Sequence, residues 1–253
     1  AIDNGAAPGS FWLTGSQSYK LMQLAKESLA GRIAILNLTS LSQHEMYEKG
    51  KLELFDISLE SLRDRATSRT PATVDEMFKR IWAGGLPGLA SGKYSNRDIY
   101  YSSYLQTYLS RDVKEELPIK DDVKFVDFIR AVACRIGQEL NIHSIATDVD
   151  VSDDTAKRWL GMLEKSEVIF FLHPYSNNLL KRVVKSPKIY FFDTGLVSYL
   201  TRHSSAEILQ NSSINGAILE NYVVGEIRKN YLNCGKEMFM YYYRDKDQKE
   251  IDL

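Results

Sequence analysis

The sequence is short of the residues that usually declare a chemistry. It has two cysteines in 253 residues, Cys134 and Cys234, too few and too widely spaced for a metal cage or a disulfide framework. They read as small buried apolar residues of a reducing compartment. The four histidines, His44, His143, His173 and His203, are scattered without ligand spacing and read as structural or surface residues, so no metal site is expected in the chain itself. No Ser/His/Asp or Cys/His arrangement stands out. Charge of one sign is lacking as well: 32 Lys and Arg against 33 Asp and Glu leave a formal net charge of −1, and no global field draws the chain to nucleic acid or to a membrane. Any such contact must come from a local patch. No apolar run approaches the ~18 residues of a membrane span, and the first residues lack the charged-then-apolar pattern of a secretory signal. The expectation is a cytoplasmic protein with no membrane partner. Missing too is any G-x-x-x-x-G-K-[ST] string, the loop whose N–H groups cradle phosphates while its lysine neutralises them.

What is present is an ordinary globular composition, 44% hydrophobic and 26% charged, enough to bury a core in one large or two to three small domains. After a Gly/Ala/Pro-rich start, FWLT (11–14) reads as a strand ending in small hydroxyl residues beside a glycine. SYKLMQLAKESLAG places Leu21, Met22, Leu24 and Leu29 at helical spacing and stops at Gly31, a good helix terminator. RIAILNL then suits a buried strand. From Thr70 the character turns helical. Thr73 and Glu76 have the capping-box spacing ahead of VDEMFKRIW, and AGGLPG enforces a turn. Asn96 caps a helix running from Arg97 towards Pro118, and VKFVDFIRAVACRIGQEL reads as a third helix.

The block from His143 to Asn178 carries most information. A short helix with Ile145 and Val149 leads through a turn to Ser152, an N-cap, and to a second helix that presents Ala156, Trp159, Leu160 and Leu163 on one stripe. VIFFLH and KIYFF follow as two strands around a turn, the pattern of a winged helix-turn-helix. DTGLVSYL is a short helix capped by Asp193, ILENYVVGEIRKNYL a longer one, and MFMYYYRDKDQKEIDL a hairpin.

Taken in order, FWLTGSQ, SLAGR, GGLPG, YLQTYLSRDV, KRWLGMLE, KRVVKSPKIYFFDTGL and YYYRDKDQKEIDL resemble the bacterial and archaeal AAA-type ATPases that carry a C-terminal domain of unknown function. The resemblance implies a mixed α/β and mainly α fold in four regions. Residues 1–69 would be the remnant of a P-loop ATPase sheet, 70–120 a helical lid, 121–192 a winged helix, and 193–253 a truncated restriction-endonuclease-like α/β region. It also implies a fragment lacking the phosphate loop and the magnesium-holding acids. ATP and Mg²⁺ would then serve the full-length protein and no cofactor this chain. Strands without their partners are sticky, so self-association is expected.

Several residues acquire alternative roles. By resemblance Thr14 and Ser16 are sensor residues facing a terminal phosphate; alternatively they merely end a strand. Arg32 stabilises phosphate charge near the nucleotide or at a subunit boundary, or simply sits favourably at a helix C-terminus. Pro87 packs against a nucleotide base, or only ends a turn. Ser152, Thr155, Lys157 and Arg158 begin the helix that would enter a major groove, with Asp148, Asp150, Asp153 and Asp154 opposing close phosphate approach. Lys181, Arg182, Lys185 and Lys188 form a cationic run on the wing, able to supply salt-dependent phosphate contacts. DNA is one candidate partner and protein the other. Glu220 and Asp252 resemble a nuclease acid pair that holds a divalent metal, here without the following Glu-x-Lys strand, and so unable to cut.

Overall fold

The structure is a computed structural model that describes residues 7, 9–15, 33–47, 52–68, 71–108, 122–176, 186–245, 247 and 249–252. Outside the described residues lie the helix expected over 18–31, Ser16, Arg32, the continuation past Tyr108, and Lys181, Arg182 and Lys185 of the wing. The chain divides into two compact units, Ala1–Leu36 and Asn37–Leu253.

In the first unit the two expected strands do not form. Phe11, Trp12 and Leu13 are exposed, Trp12 at 79%, as are Ile33, Ile35 and Leu36, and no strand is assigned to them. A strand is stable only when a neighbour takes up its N–H and C=O groups. None does so among the described residues, which contain no P-loop-type sheet.

The second unit is mostly helical. α1 (Gln43–Tyr47) and α2 (Leu59–Ser68) come first. α3 (Val74–Ala83) opens with the full Thr73–Glu76 capping box and ends at Gly84, whose φ of 77° suits a residue without Cβ. α4 (Pro87–Ala90) starts on its proline, and α5 (Arg97–Tyr108) is capped by Asn96, which accepts the Ile99 N–H at 3.0 Å. α6 (Asp122–Ala133) stops seven residues before the expected end at Leu140. There the chain turns through Gly137 (φ 70°) and residues 137–140 pair with a later strand, the Gly137 N–H reaching Ile189 O at 2.9 Å and the Leu140 N–H reaching Pro187 O at 2.8 Å. Tertiary pairing overrides a helical pattern that local periodicity favours.

α7 (Ile142–Asp148) and α8 (Asp153–Lys165) form the expected helix–turn–helix, capped by Asn141 and Ser152. The α8 stripe is buried as expected, with Met162 added, and Trp159 meets Phe125 and Phe128 edge-on at 5.1 Å each. β1 (Ile169–Leu172) and β2 (Lys188–Phe191) pair antiparallel, Ile169 opposite Phe191. After them come α9 (Thr194–Leu200), α10 (Ala206–Gln210), α11 (Asn215–Asn233) and the small antiparallel hairpin of β3 (Tyr243–Arg244) and β4 (Glu250–Ile251). The described residues show no restriction-endonuclease-like sheet.

The β1–β2 sheet is covered on both faces, and its period-2 alternation divides two cores. Ile169, Ile189 and Phe191 join the helical core around Phe125, Phe128 and Leu163. Phe170, Leu172, Tyr190 and Phe192 pack with Val224 of α11 and Tyr242. At about 1.5–3 kcal/mol for each fully buried large apolar side chain, this sheet is the centre of the unit. Both cysteines are free thiols, Cys134 exposed and Cys234 half-buried, so the expectation that both are buried is not met. Among the described residues no helix is long and apolar enough to cross a membrane.

Candidate functional site

The residues proposed from the sequence fall into different settings. Thr14 is exposed in the first unit. Pro87 is exposed in the first turn of α4, just past a tightly held turn: the Gly85 N–H donates to Asp193 Oδ2 at 2.7 Å, and Tyr101 OH donates to Asp193 Oδ1 at 2.8 Å. The Gly85 N–H is thus already taken by Asp193.

At the start of α8, Ser152, Lys157 and Arg158 are exposed and Thr155 is half-exposed. Each nearby acid has a basic neighbour: Asp148 meets Arg135, Asp150 meets Lys124 at 2.7 Å, Asp153 meets the His143 ring at 3.1 Å, and Asp154 meets Lys157 at 3.8 Å. Arg158 donates to Thr155 Oγ1 at 3.4 Å. This face is close to charge-neutral rather than basic.

The wing cation Lys188 sits elsewhere than expected. As the first residue of β2 its side chain is only 3% exposed, so it is no surface contact for a phosphate. It bridges the acids instead. Its Nζ lies 3.0 Å from Glu220 Oε1, 2.8 Å from Asp252 Oδ1, and in contact with Glu250 Oε1. An ammonium has three N–H donors, and each finds one carboxylate. The acid pair expected at Glu220 and Asp252 therefore does converge, through a lysine placed in another role. Glu250, missed in the sequence, completes the set because β4 alternates: Glu250 and Asp252 share a face.

Neighbouring groups hold the arrangement. Tyr190, two residues after Lys188 on the same strand, donates its OH to Glu220 Oε1 at 2.5 Å. Asn221, fully buried on α11, accepts the Phe191 N–H and donates to Phe191 O, both at 2.8 Å. Its amide thus prolongs the hydrogen bonding of β2 and fixes the turn of α11 that carries Glu220. Arg244 donates to Glu139 Oε1 at 3.1 Å and lies 3.6 Å from Glu250. Burial alone would lower the Lys188 pKa, but the hydrogen bonds it donates to Asp252, Glu250 and Glu220 outweigh it and raise it well above the ordinary lysine range. Lys188 in turn holds the Asp252 carboxyl below its usual value. Burial, then the Glu220 bond, pushes the Tyr190 hydroxyl far up, so it stays a donor. Tyr242, whose ring stands 5.5 Å from the ammonium, is pushed up to about 12, chiefly by burial. Asp252 is 53% exposed, which leaves the cluster open to water on one side. Among the described residues no group of His, Cys, Asp or Glu is arranged to hold a metal ion. Here an ammonium takes the centre.

Comparison with known proteins divides the chain at this site. The family profile described as "Domain of unknown function (DUF8612)" matches residues 74–207, and "Domain of unknown function (DUF4143)" matches residues 215–253. Lys188 thus comes from the first matched segment and its three acids from the second. The chain is 30% identical over 258 residues to "Uncharacterized protein Rv2008c" of Mycobacterium tuberculosis and, at the same identity, to "Uncharacterized protein Mb2031c" of Mycobacterium bovis. These alignments cover 100% of the chain and 51% of each relative, so the chain spans about half the length of the curated relatives it matches. No solved structure matches.

Proposed function

This chain belongs to the DUF8612 family of domains of unknown function, and on that footing we propose that it is the effector part of an AAA-type, ATP-driven regulatory protein. In this reading the helix–turn–helix and its sheet act as a winged helix, and the C-terminal nuclease-like segment is a structural partner whose acids are closed by Lys188. The observation that carries it is the Lys188 cluster: one buried ammonium joins the two matched segments into a single unit and occupies the space between Glu220, Glu250 and Asp252. A hydrolytic acid pair needs that space for a metal and its water. The ATP-driven part is supported by the ordered motifs alone, and the chain spans about half the length of its curated relatives. ATP and Mg²⁺ belong to that longer protein, for which the resemblance gives Thr14, Ser16, Arg32 and Pro87 as candidate nucleotide residues.

For the partner, DNA contact rests on Ser152, Thr155, Lys157 and Arg158 with Lys181, Arg182 and Lys185. A second reading, grip on a protein partner, is favoured by the paired charges around the start of α8. Salt separates them. Binding through the three remaining wing cations should lose affinity with a log–log slope of about −3, and a Lys181/Arg182/Lys185→Ala variant should flatten it. Absence of salt-dependent DNA binding at low ionic strength overturns the DNA reading and leaves the protein one. Mg²⁺-dependent cleavage of nucleic acid by this chain would overturn the closed-cluster reading. The exposed apolar residues of both units, among them Trp12, Ile35 and Leu38, favour self-association, which sedimentation at increasing concentration tests.

A further inference from the structure

Residues 39–47 and 52–58 run beside α11, and their backbone is held by side chains of that helix. The Gln43 N–H donates to Glu226 Oε2 at 2.8 Å, and Lys229 Nζ donates to Leu41 O at 3.1 Å while pairing with Glu226 at 2.5 Å. One turn on, the Asn230 amide works like a strand edge: it accepts the Phe55 N–H at 2.7 Å and donates to Glu53 O at 2.9 Å. Tyr231 OH donates to Phe55 O at 3.2 Å, and Asn233 donates to Glu45 Oε2 at 3.0 Å. Glu226, Lys229, Asn230 and Asn233 are spaced at three and four residues, so they form one row along the helix.

The other side of this segment meets the glycine turn. The Leu41 N–H donates to Gly85 O at 2.7 Å, and a Cβ at Gly85 would collide with the Leu41 carbonyl. Ser40 Oγ donates to Phe192 O at 2.7 Å. Leu41 is thus bonded through both backbone groups, one to the turn that precedes Pro87 and one to the helix that carries Glu220.

The segment is held by polar contacts more than by apolar burial. Within it Tyr47, Leu54 and Ile57 are exposed and Leu41, Met46, Leu52 and Phe55 only half-buried. Hydrogen bonds exchange against water at small net gain, so such a stretch can leave the surface while the core beneath stays folded. It also directly follows the unit that ends at Leu36.

We infer that residues 39–47 and 52–58 are a detachable strap whose seating on the Glu226–Asn233 row of α11 shifts when the longer protein binds nucleotide. This rests on the ATP-driven reading above. The strap is the two-state element, and seated or released it changes the environment of the glycine turn and of α11 together.

Hydrogen–deuterium exchange tests it. In a Glu226→Gln, Asn230→Ala variant the amides of Gln43 and Phe55 should exchange about tenfold faster, while those of Phe192 and Val197 keep their protection. Gly85→Ala, which displaces Leu41 without altering α11, should do the same. Strap amides that already exchange at free-peptide rates, or that do not respond to either variant, overturn the strap. The coupling is read in the protein as its gene encodes it, with a non-hydrolysable ATP analogue whose binding is measured separately. A several-fold change at the same amides, lost in the variants, supports it. Nucleotide that binds and leaves those amides unmoved overturns the coupling alone; nucleotide that fails to bind overturns the ATP-driven reading and the coupling with it.

Discussion

Phe-Trp-Leu-Thr at 11–14 and Ile-Phe-Phe-Leu at 169–172 are built from nearly the same chemistry. The second is a strand buried on both faces, its Phe170 1% exposed, with β2 taking its backbone hydrogen bonds. The first is exposed and forms no strand among the described residues. The difference lies in what stands beside them. Hydrophobic side chains favour leaving water, but a strand also needs a neighbour for every second N–H and C=O, and only tertiary structure supplies one.

The sharpest way to test this contrast is to truncate one aromatic ring in each place. Phe170→Ala should cost about 4 kcal/mol in urea unfolding, because it opens a cavity between β2 and α11, whereas Trp12→Ala should stay within about 0.5 kcal/mol. Equal effects would mean that the first segment is packed in solution.

Next in size is Lys188→Met, which leaves three carboxylates facing one another. A loss of about 3 kcal/mol is expected, at the low end for breaking a buried pair because Asp252 is open to water. Adding Glu220→Gln should restore part of it.

The same cluster sets a pH window. Asp252 has a lowered pKa, so its contribution is present above the ordinary carboxylate value near 3.8 and is lost as pH falls through the folded value. Lys188 has a raised pKa; its contribution is fully present below the ordinary lysine value near 10.5 and is lost as pH rises through the folded one. The β3–β4 hairpin should stay seated between these limits and detach in acid before the helical core melts, which tyrosine fluorescence or NMR of Tyr242 follows.

The smallest expected loss within the second unit is Thr73→Ala, about 1 kcal/mol, because the two bonds of the Thr73 hydroxyl to Glu76 are removed at an exposed helix start. An effect several times larger would show that the start of α3 carries tertiary contacts beyond its cap.

The caps at Thr73, Asn96, Ser152 and Asp193 are written within a few residues and were readable, as were the stripe of α8 and the pairing of two apolar runs. The end of α6 was not. Its periodicity continues to Leu140, but the pairing of residues 137–140 with β2 depends on a strand some fifty residues away in the chain. Glu220 and Asp252 are candidates by resemblance alone. Lys188 was read with its charged neighbours as a surface cation, because nothing local signals that β2 is covered on its second face. Asn221 carries no sequence signal beyond its place next to Glu220.

By itself, then, the sequence determined where helices start, which stripes are apolar and which segments lack charge, since these depend on contacts within about one helical turn. Tertiary structure alone decided which apolar runs became strands and that Lys188 would meet three acids. It also decided that the backbone of residues 39–47 and 52–58 would lie along α11. Those outcomes require groups far apart in the chain to share one desolvated space, where an unpaired charge or N–H is costly enough to select its partner.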